Sequence, residues 1–495
     1  MAYVATLPDY GLVSDEGNYF SASRRLVRWF EYLLSRLRAG VPQDAFTPGL
    51  MDETWRWLET SRIPHPPFSR EVAGLSHVLF GGWIETLTAY RLLGALLAGG
   101  LVGGVAAWGA LRGGAVAGIT AGLALLLMPR VFAHAHFADT DSVLSALFFA
   151  ALFCAAEGRR APMVGAGALW GLALATKFSA ILLPAVLIPW LAVFRRPLLR
   201  RLPWFGLAAL VTFVAVNPAF WVDPIHGLRE YLAHGFARSE MLMTQLPTFY
   251  FGRVYLFRPP WHYTWVMLLL TLPIGFVLLA PTGVVSGLLR PALRPAAALA
   301  ALVPAAFLGA LALPSAPMHD DVRLFLSVFP FLALLIGFGA ATLLRPRMMR
   351  VVGPALLVVV LADSLLSVVR LHPYQASYYN ALVGGIAGAE ARGLEVTTMK
   401  EVLNHEVYDD LNGVLPRGAT LDGGPFLYED LLYAQELGWL RRDVKVQMEQ
   451  PAAYVLIVHR RGWFRQSDLA LFHFATPAYA VTIDGVVLAA LYRLG

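Results

Sequence analysis

The residues able to do chemistry in this 495-residue chain are few, and they fall in clusters. Asp15-Glu16, followed by Tyr19, is an acidic pair near the start. Such a pair can take a proton from a hydroxyl or hold a divalent cation. Asp52-Glu53 is a second pair of the same type, and a solvated loop explains either one equally well. His65-Pro66-Pro67-Phe68-Ser69-Arg70 displays an imidazole and a guanidinium from a backbone that its prolines keep extended, just before a helix. It also reads as a rigid membrane-entry turn. The stretch Arg130 to Ser142 holds His134, His136, Asp139 and Asp141. Asp139 and Asp141 have the DxD spacing of a metal site, and with Asp15 they form a candidate ligand set for Mg or Mn. Asp141 or Ser142 could instead cap the next helix, and the histidines suit interfacial packing.

Further along, Arg253 and His262 lie among Tyr250, Trp261 and Tyr263. They could bind a phosphate at headgroup depth, or simply belong to an aromatic belt. Arg323, in His319-Asp320-Asp321-Val322-Arg323, opens a helix with the charge that the helix dipole disfavours. An anionic ligand would compensate it, and so would Asp320 or Asp321. Lys177 sits at a helix end, where snorkelling and phosphate contact are equally good accounts. His372 to Gly385 forms a polar junction after the last apolar run.

The elements that must position these groups are mostly membrane helices. The chain is 57% hydrophobic and 15% charged, with a mean hydropathy of +0.59. A soluble domain carries about a quarter charged residues, so a soluble multidomain protein is excluded. One cysteine excludes a disulfide framework. At about 20 apolar residues per span, ten segments qualify: 86–107, 114–130, 142–157, 162–177, 179–194, 203–221, 263–283, 296–314, 323–344 and 351–371. The net charge of +6 comes largely from short alternate loops holding Arg112, Arg159 and Arg160, Arg195 to Arg201, Arg290 and Arg294, and Arg345 to Arg350. The positive-inside rule makes those loops cytoplasmic, and nucleic-acid binding is not expected. The polar clusters then face the periplasm or exterior. With residues 1–85 outside and no apolar run before them, a first helix is expected to be missing.

The expected fold is a polytopic α-helical membrane protein of about ten spans. It has a first outer loop (1–85), a helical domain (86–371) and a small outer α/β domain (372–495). In that last domain, strands are expected at Ala453–His459, Ala478–Ile483 and Val486–Tyr492, helices at Tyr428–Leu440 and Gln466–Phe474, and a turn at Asp422 to Pro425. There is no internal repeat of the transporter type. There is also no Gly-rich phosphate loop between a strand and a helix.

In this order, the acidic pair with its Tyr, the HPP segment, the Arg-to-Asp-Ser loop and the GLALATKFSA junction resemble the lipid-carrier-dependent glycosyltransferases of the GT-C superfamily. That superfamily includes protein O-mannosyltransferases and the lipid A aminoarabinose transferase. The stretches YFGRVYLFRPPWHY, HDDVRLFLSVFPFLALLIGFG and HPYQASYYNALVGG are similar to a bacterial branch, in which glycine is expected at the position of Asp321. The resemblance implies an inverting transferase on the outer face of a bacterial inner membrane, drawing sugar from a polyprenyl phosphate, undecaprenyl-linked in a bacterium. It implies Asp15 as general base, Glu16 as its support and Asp141 as the Asp of the family's Asp-Ser. Arg70, Lys177, Arg253, His262 and Arg323 become candidates for the donor phosphate, with His65, Tyr19 and Asp139 as further candidates. The acceptor would be a protein, lipid or glycan, and some members use a divalent metal. A transporter or flippase of a lipid-linked saccharide is the alternative; the convergence of Asp15, Asp141 and Arg253 on one cavity would separate the two. If Arg253 binds the donor phosphate, Arg253→Ala is expected to raise KM for the lipid-linked donor more than for the acceptor. Equal effects on both would remove that role.

Overall fold

Runs of Leu, Ala, Val and Phe leave the backbone no polar partner but itself, and in lipid that forces helix. The computed structural model describes the whole chain except residues 14, 57–64, 159, 237–245, 257, 315, 317, 449–450 and 495. Arg159, one of the topology-setting arginines, therefore lies outside the described residues. Among the described residues, six helices are long and apolar enough to cross a membrane: Thr86–Gly113, Thr140–Glu157, Arg196–Ala215, Arg294–Ala312, Asp321–Leu343 and Met349–Arg370. The chain is a multi-pass membrane protein with a small sheet-containing C-terminal region.

The single span expected at 263–283 is two helices, Tyr263–Thr271 and Ile274–Leu289, bent by 115°. Pro273 lies at the break, where it can neither donate a helical hydrogen bond nor let Leu272 stay helical. Ala115–Leu127 and Leu182–Phe194 have only 13 residues each, about 20 Å at the helical rise. The junction before the latter is a break at Ala175–Lys177 followed by a 3₁₀ turn, Phe178–Ile181.

The helix Phe329–Leu343 forms the middle of the bundle, and backbones approach it closely through glycine. A Cβ on Gly283 would lie 1.8 Å from the carbonyl oxygen of Leu335, and one on Gly339 would lie 2.2 Å from that of Leu279. Without a hydrophobic drive between helices in lipid, such close packing is what holds them together.

Among the described residues, the first 85 positions are largely helical. Glu16–Arg38 is amphipathic and buries Tyr19, Phe20, Ser23, Leu26 and Trp29. In the C-terminal region, strands β3 (Thr420–Asp422), β4 (Lys445–Gln447), β5 (Tyr454–Val458), β6 (Tyr479–Ile483) and β7 (Val486–Arg493) form one mixed sheet in the order β4-β3-β5-β7-β6. β1 (Thr248–Tyr250) and β2 (Arg253–Tyr255) make a separate hairpin. The three-residue strands β3 and β4 were too short to show a period. The expected turn at Asp422 leads straight into the helix Gly424–Glu436, because Asp422 Oδ1 accepts from the Gly424 amide at 2.7 Å. One hydrophobic cluster joins Leu12, Phe20, Leu87 and Tyr90 to Leu403, Leu421, Leu456 and Leu491, so the N-terminal segment packs onto the sheet region.

Gly283→Ala is expected to destabilise the detergent-solubilised protein by about 1–3 kcal/mol, the usual effect of overpacking. Gly309→Ala, whose added carbon meets open space, should not lower the midpoint. Intrinsic-fluorescence melting curves compare the two.

Candidate active site

Asp15 occupies the N-cap of the Glu16–Arg38 helix at φ 72°, yet its carboxylate makes no capping bond. It turns to Arg323 instead. Arg323 Nη2 donates to Asp15 Oδ2 at 2.9 Å, while Nε donates to Asp141 Oδ2 at 3.1 Å. Lys177 Nζ donates to the other oxygen of Asp141. Residues from the first segment, the Asp139–Asp141 loop, the Ala175–Lys177 break and a fourth membrane element thus meet in one chain of charges. Exposure separates the carboxylates: the Asp15 side chain is 48% exposed and that of Asp141 3%. Of the two, only Asp15 is open to solvent.

Arg323 begins its helix among acids. Asp320 lies 3.4 Å from Nη1 and also pairs with Arg460 and with His319. Burial opposes ionisation of Asp320, but the charges of Arg460 and His319 outweigh it and hold the carboxyl well below its ordinary range. Asp321 pairs with Arg130. Asp320 and Asp321 have φ of 52° and 57°, the left-handed region. This accounts for the glycine expected at 321, and the Arg130 pair gives the acid that stands there a partner.

Glu16 does different work from its neighbour. It is fully buried, and Arg91 grips both its oxygens, Nε to Oε1 at 2.9 Å and Nη2 to Oε2 at 2.6 Å. The amides of Val13 and Ala138 donate to the same carboxylate. Arg91 also donates to the carbonyls of Tyr10 and Gly11. Glu16 thereby ties the Asp15 turn, the first long membrane helix and the Asp139–Asp141 loop together.

Tyr19 is buried within the field of Asp15, Arg323, Asp141 and Arg70; burial first, then Asp15, raises its hydroxyl above the usual range. Arg70 is buried as well, and desolvation lowers its guanidinium to about 10. It donates to the carbonyl of His65, while its own carbonyl accepts from Ser23 Oγ at 2.8 Å. Pro67 has helical torsions and acts as the N-cap of Phe68–Phe80, so the HPP segment enters the helix one residue earlier than an extended reading implies. The Phe68 amide donates to Ala175, joining this turn to the Lys177 junction.

Arg253 and His262 lie elsewhere. Arg253 is exposed on β2, and His262 Nδ1 is 3.1 Å from Tyr250 Oη at the start of Tyr263–Thr271. Among the described residues no hydrogen bond or ion pair links either of them to Asp15, Asp141 or Arg323. Of the three groups whose convergence separates an enzyme from a transporter, Asp15 and Asp141 meet through Arg323 and Arg253 stands apart. The hairpin bearing Arg253 is anchored by Glu395, which accepts from the amides of Phe249, Arg461 and Gly462; burial pushes its carboxyl up to about 7.

The acidic set does not fit a divalent cation in this arrangement. Asp139, rather than Asp141 or Ser142, caps the Thr140–Glu157 helix, accepting from both of their amides, and its other oxygen faces His134 at 3.2 Å. Asp141 is held by two cations. Among the described residues no group of three or more His, Cys, Asp or Glu is placed to share an ion. His136 is packed rather than ligating: it stacks on Tyr10 at 4.1 Å, and burial lowers it to about 3, which keeps it neutral.

Residues 64–221 match the dolichyl-phosphate-mannose-protein mannosyltransferase family. Two crystal structures of ArnT from Cupriavidus metallidurans are similar in fold across the chain. The form bound to undecaprenyl phosphate gives a TM-score of 0.53 at 17% identity, and the apo form 0.54 at 18%. Each comparison covers 99% of this chain and 95% of that one. The chain has the ArnT fold. Both comparisons agree with the sequence motifs: the protein resembles the lipid-carrier-dependent GT-C glycosyltransferases. No curated protein sequence matches it.

Sequence reasoning missed Arg91 and Arg460. The signal for Arg91 was a charge in the second turn of a helix that is apolar from there to Arg112 in its last turn, a placement that is expensive unless partnered. Arg460 follows a strand in the sheet region and gave no sign that it reaches Asp320. Arg91→Met leaves Glu16 charged, buried and alone, and is expected to cost about 3–5 kcal/mol. The double variant Arg91→Met with Glu16→Gln should recover much of that loss. Thermal unfolding of both variants checks this, and a double variant no better than the single would show that the pair is not the support described.

Proposed function

We propose that the protein is a membrane glycosyltransferase that moves a sugar from a polyprenyl phosphate carrier to an acceptor hydroxyl on a protein, lipid or glycan, at the outer face of a bacterial inner membrane. The observation that carries this reading is the Asp15–Arg323–Asp141 chain, in which one half-exposed carboxylate stands beside buried cations. The ArnT structure bound to undecaprenyl phosphate and the dolichyl-phosphate-mannose family supply the donor class.

In this reading Asp15 accepts the proton of the acceptor hydroxyl. The freed oxygen attacks the anomeric carbon from the face opposite the phosphate. A new glycosidic bond forms as the bond from that carbon to the phosphate oxygen breaks, and the electron pair leaves on the polyprenyl phosphate. The anomeric centre is inverted. Arg323 and Lys177, with Arg70 behind Tyr19, take up the charge growing on the leaving phosphate, which is where fixed cations accelerate such a step most. No step runs through a metal.

Asp15→Asn is expected to reduce sugar transfer by about 10²–10⁴-fold, the range of a positioned general base, with the folded yield unchanged. The assay uses purified lipid-phosphate sugar, with NMR of the product anomer. Full activity in that variant would remove the base and favour a transporter or flippase of the lipid-linked saccharide.

A further inference from the structure

The membrane helix Met349–Arg370 is mostly open to lipid, yet it carries a carboxylate, Asp363, two turns before its end. At 1.5 Å per residue, Asp363 lies about 10 Å along the helix from Arg370. An acid on a lipid-facing stretch is costly unless something polar meets it.

Something polar does meet it. Asp363, Ser367 and Arg370 line one side of a cavity of about 390 Å³. Tyr378, Tyr379 and the turn residue Asp484 between β6 and β7 line the other. Asp484 reaches Arg370 at 3.5 Å across the mouth, and both side chains are more than half exposed. The cavity is not the Asp15 site. Arg130 stacks on the ring of Tyr379 at 4.7 Å and takes the Tyr378 carbonyl at 3.0 Å, so these two tyrosines separate the cavity from the Arg130–Asp321 pair. Leu366, which lines the cavity, and Leu382, next to the lining residue Ala381, are both more than half exposed. Apolar side chains around a charged cavity at a helix end suit a molecule with acyl chains and a charged head.

We propose that this cavity binds the headgroup of a phosphatidylethanolamine from the leaflet next to the C-terminal region. Arg370 takes the phosphate. Asp363 and Asp484 take the primary ammonium, whose three donors suit two carboxylates in a way that a quaternary ammonium's lack of donors does not. The acyl chains lie along Leu366 and Leu382. An anionic lipid without an amine would leave the two acids of the lining with Arg370 as their one cation. The site does not depend on the glycosyltransferase reading.

The test is native mass spectrometry of the full-length protein taken from vesicles of equal parts phosphatidylethanolamine, phosphatidylglycerol and phosphatidylcholine. One phosphatidylethanolamine per chain is expected to survive delipidation in preference to the other two lipids. Arg370→Gln combined with Asp363→Asn is expected to cut that retention at least tenfold. Ala381→Trp, which fills the cavity from an exposed lining position and replaces no charged residue, is expected to abolish it. The comparison of the three lipids on the unaltered chain needs no variant to fold. Equal retention of all three lipids, or retention untouched by Ala381→Trp, overturns the proposal.

Discussion

A buried guanidinium clamped on a buried carboxylate is the constraint from which the site follows. Glu16 and Arg91 have no exposed side-chain surface, so neither charge is tolerable without the other. Their pairing fixes where the amphipathic helix begins relative to the first long membrane helix. The two remaining contacts of Glu16, to Val13 and Ala138, fix the turns on either side of it. Asp15 is held at a left-handed torsion by this arrangement, with its carboxylate left over for Arg323. The residue that supports and the residue that faces outward are adjacent in the chain, and their burial is opposite.

The same physics explains why the rest of the centre is paired. Asp141, Asp321, Arg323, Arg130 and Lys177 are buried and Asp320 is partly so, and every one has a partner of opposite sign. Much of this is done by short-range geometry: αL torsions at Asp320 and Asp321 and a break in the helix before Lys177. The sheet region closes the set from above through Arg460. A low-dielectric setting makes each pair strong and each vacancy expensive, so a phosphate entering here would exchange one anionic partner for another around the same cations.

How much of this could be read beforehand differs by element. The long apolar helices, β5, β6, β7 and the Gln466–Phe474 helix follow from hydropathy and period, because local pattern decides them. The bend at Leu272–Pro273 was visible as a proline, but an uninterrupted apolar run hid it. β3 and β4, at three residues each, have no period to read and exist because neighbouring strands supply their hydrogen bonds. Asp139 and Asp141 looked like a metal pair by spacing, and the helix start between them turned Asp139 into a cap.

What the sequence by itself determined was the class of molecule and the types of group available: apolar spans, basic turns, and acids and arginines gathered in the segments between spans. Those follow from composition and from pairs close in the chain, where solvent preference and spacing suffice. Which charge meets which was decided only by the tertiary structure. Arg323 finds Asp15 across 308 positions and Asp141 across 182, and nothing local to any of the three specifies that meeting. It arises because glycine-lined helices pack closely enough to exclude water, and an excluded charge must take whatever opposite charge the packing brings within reach.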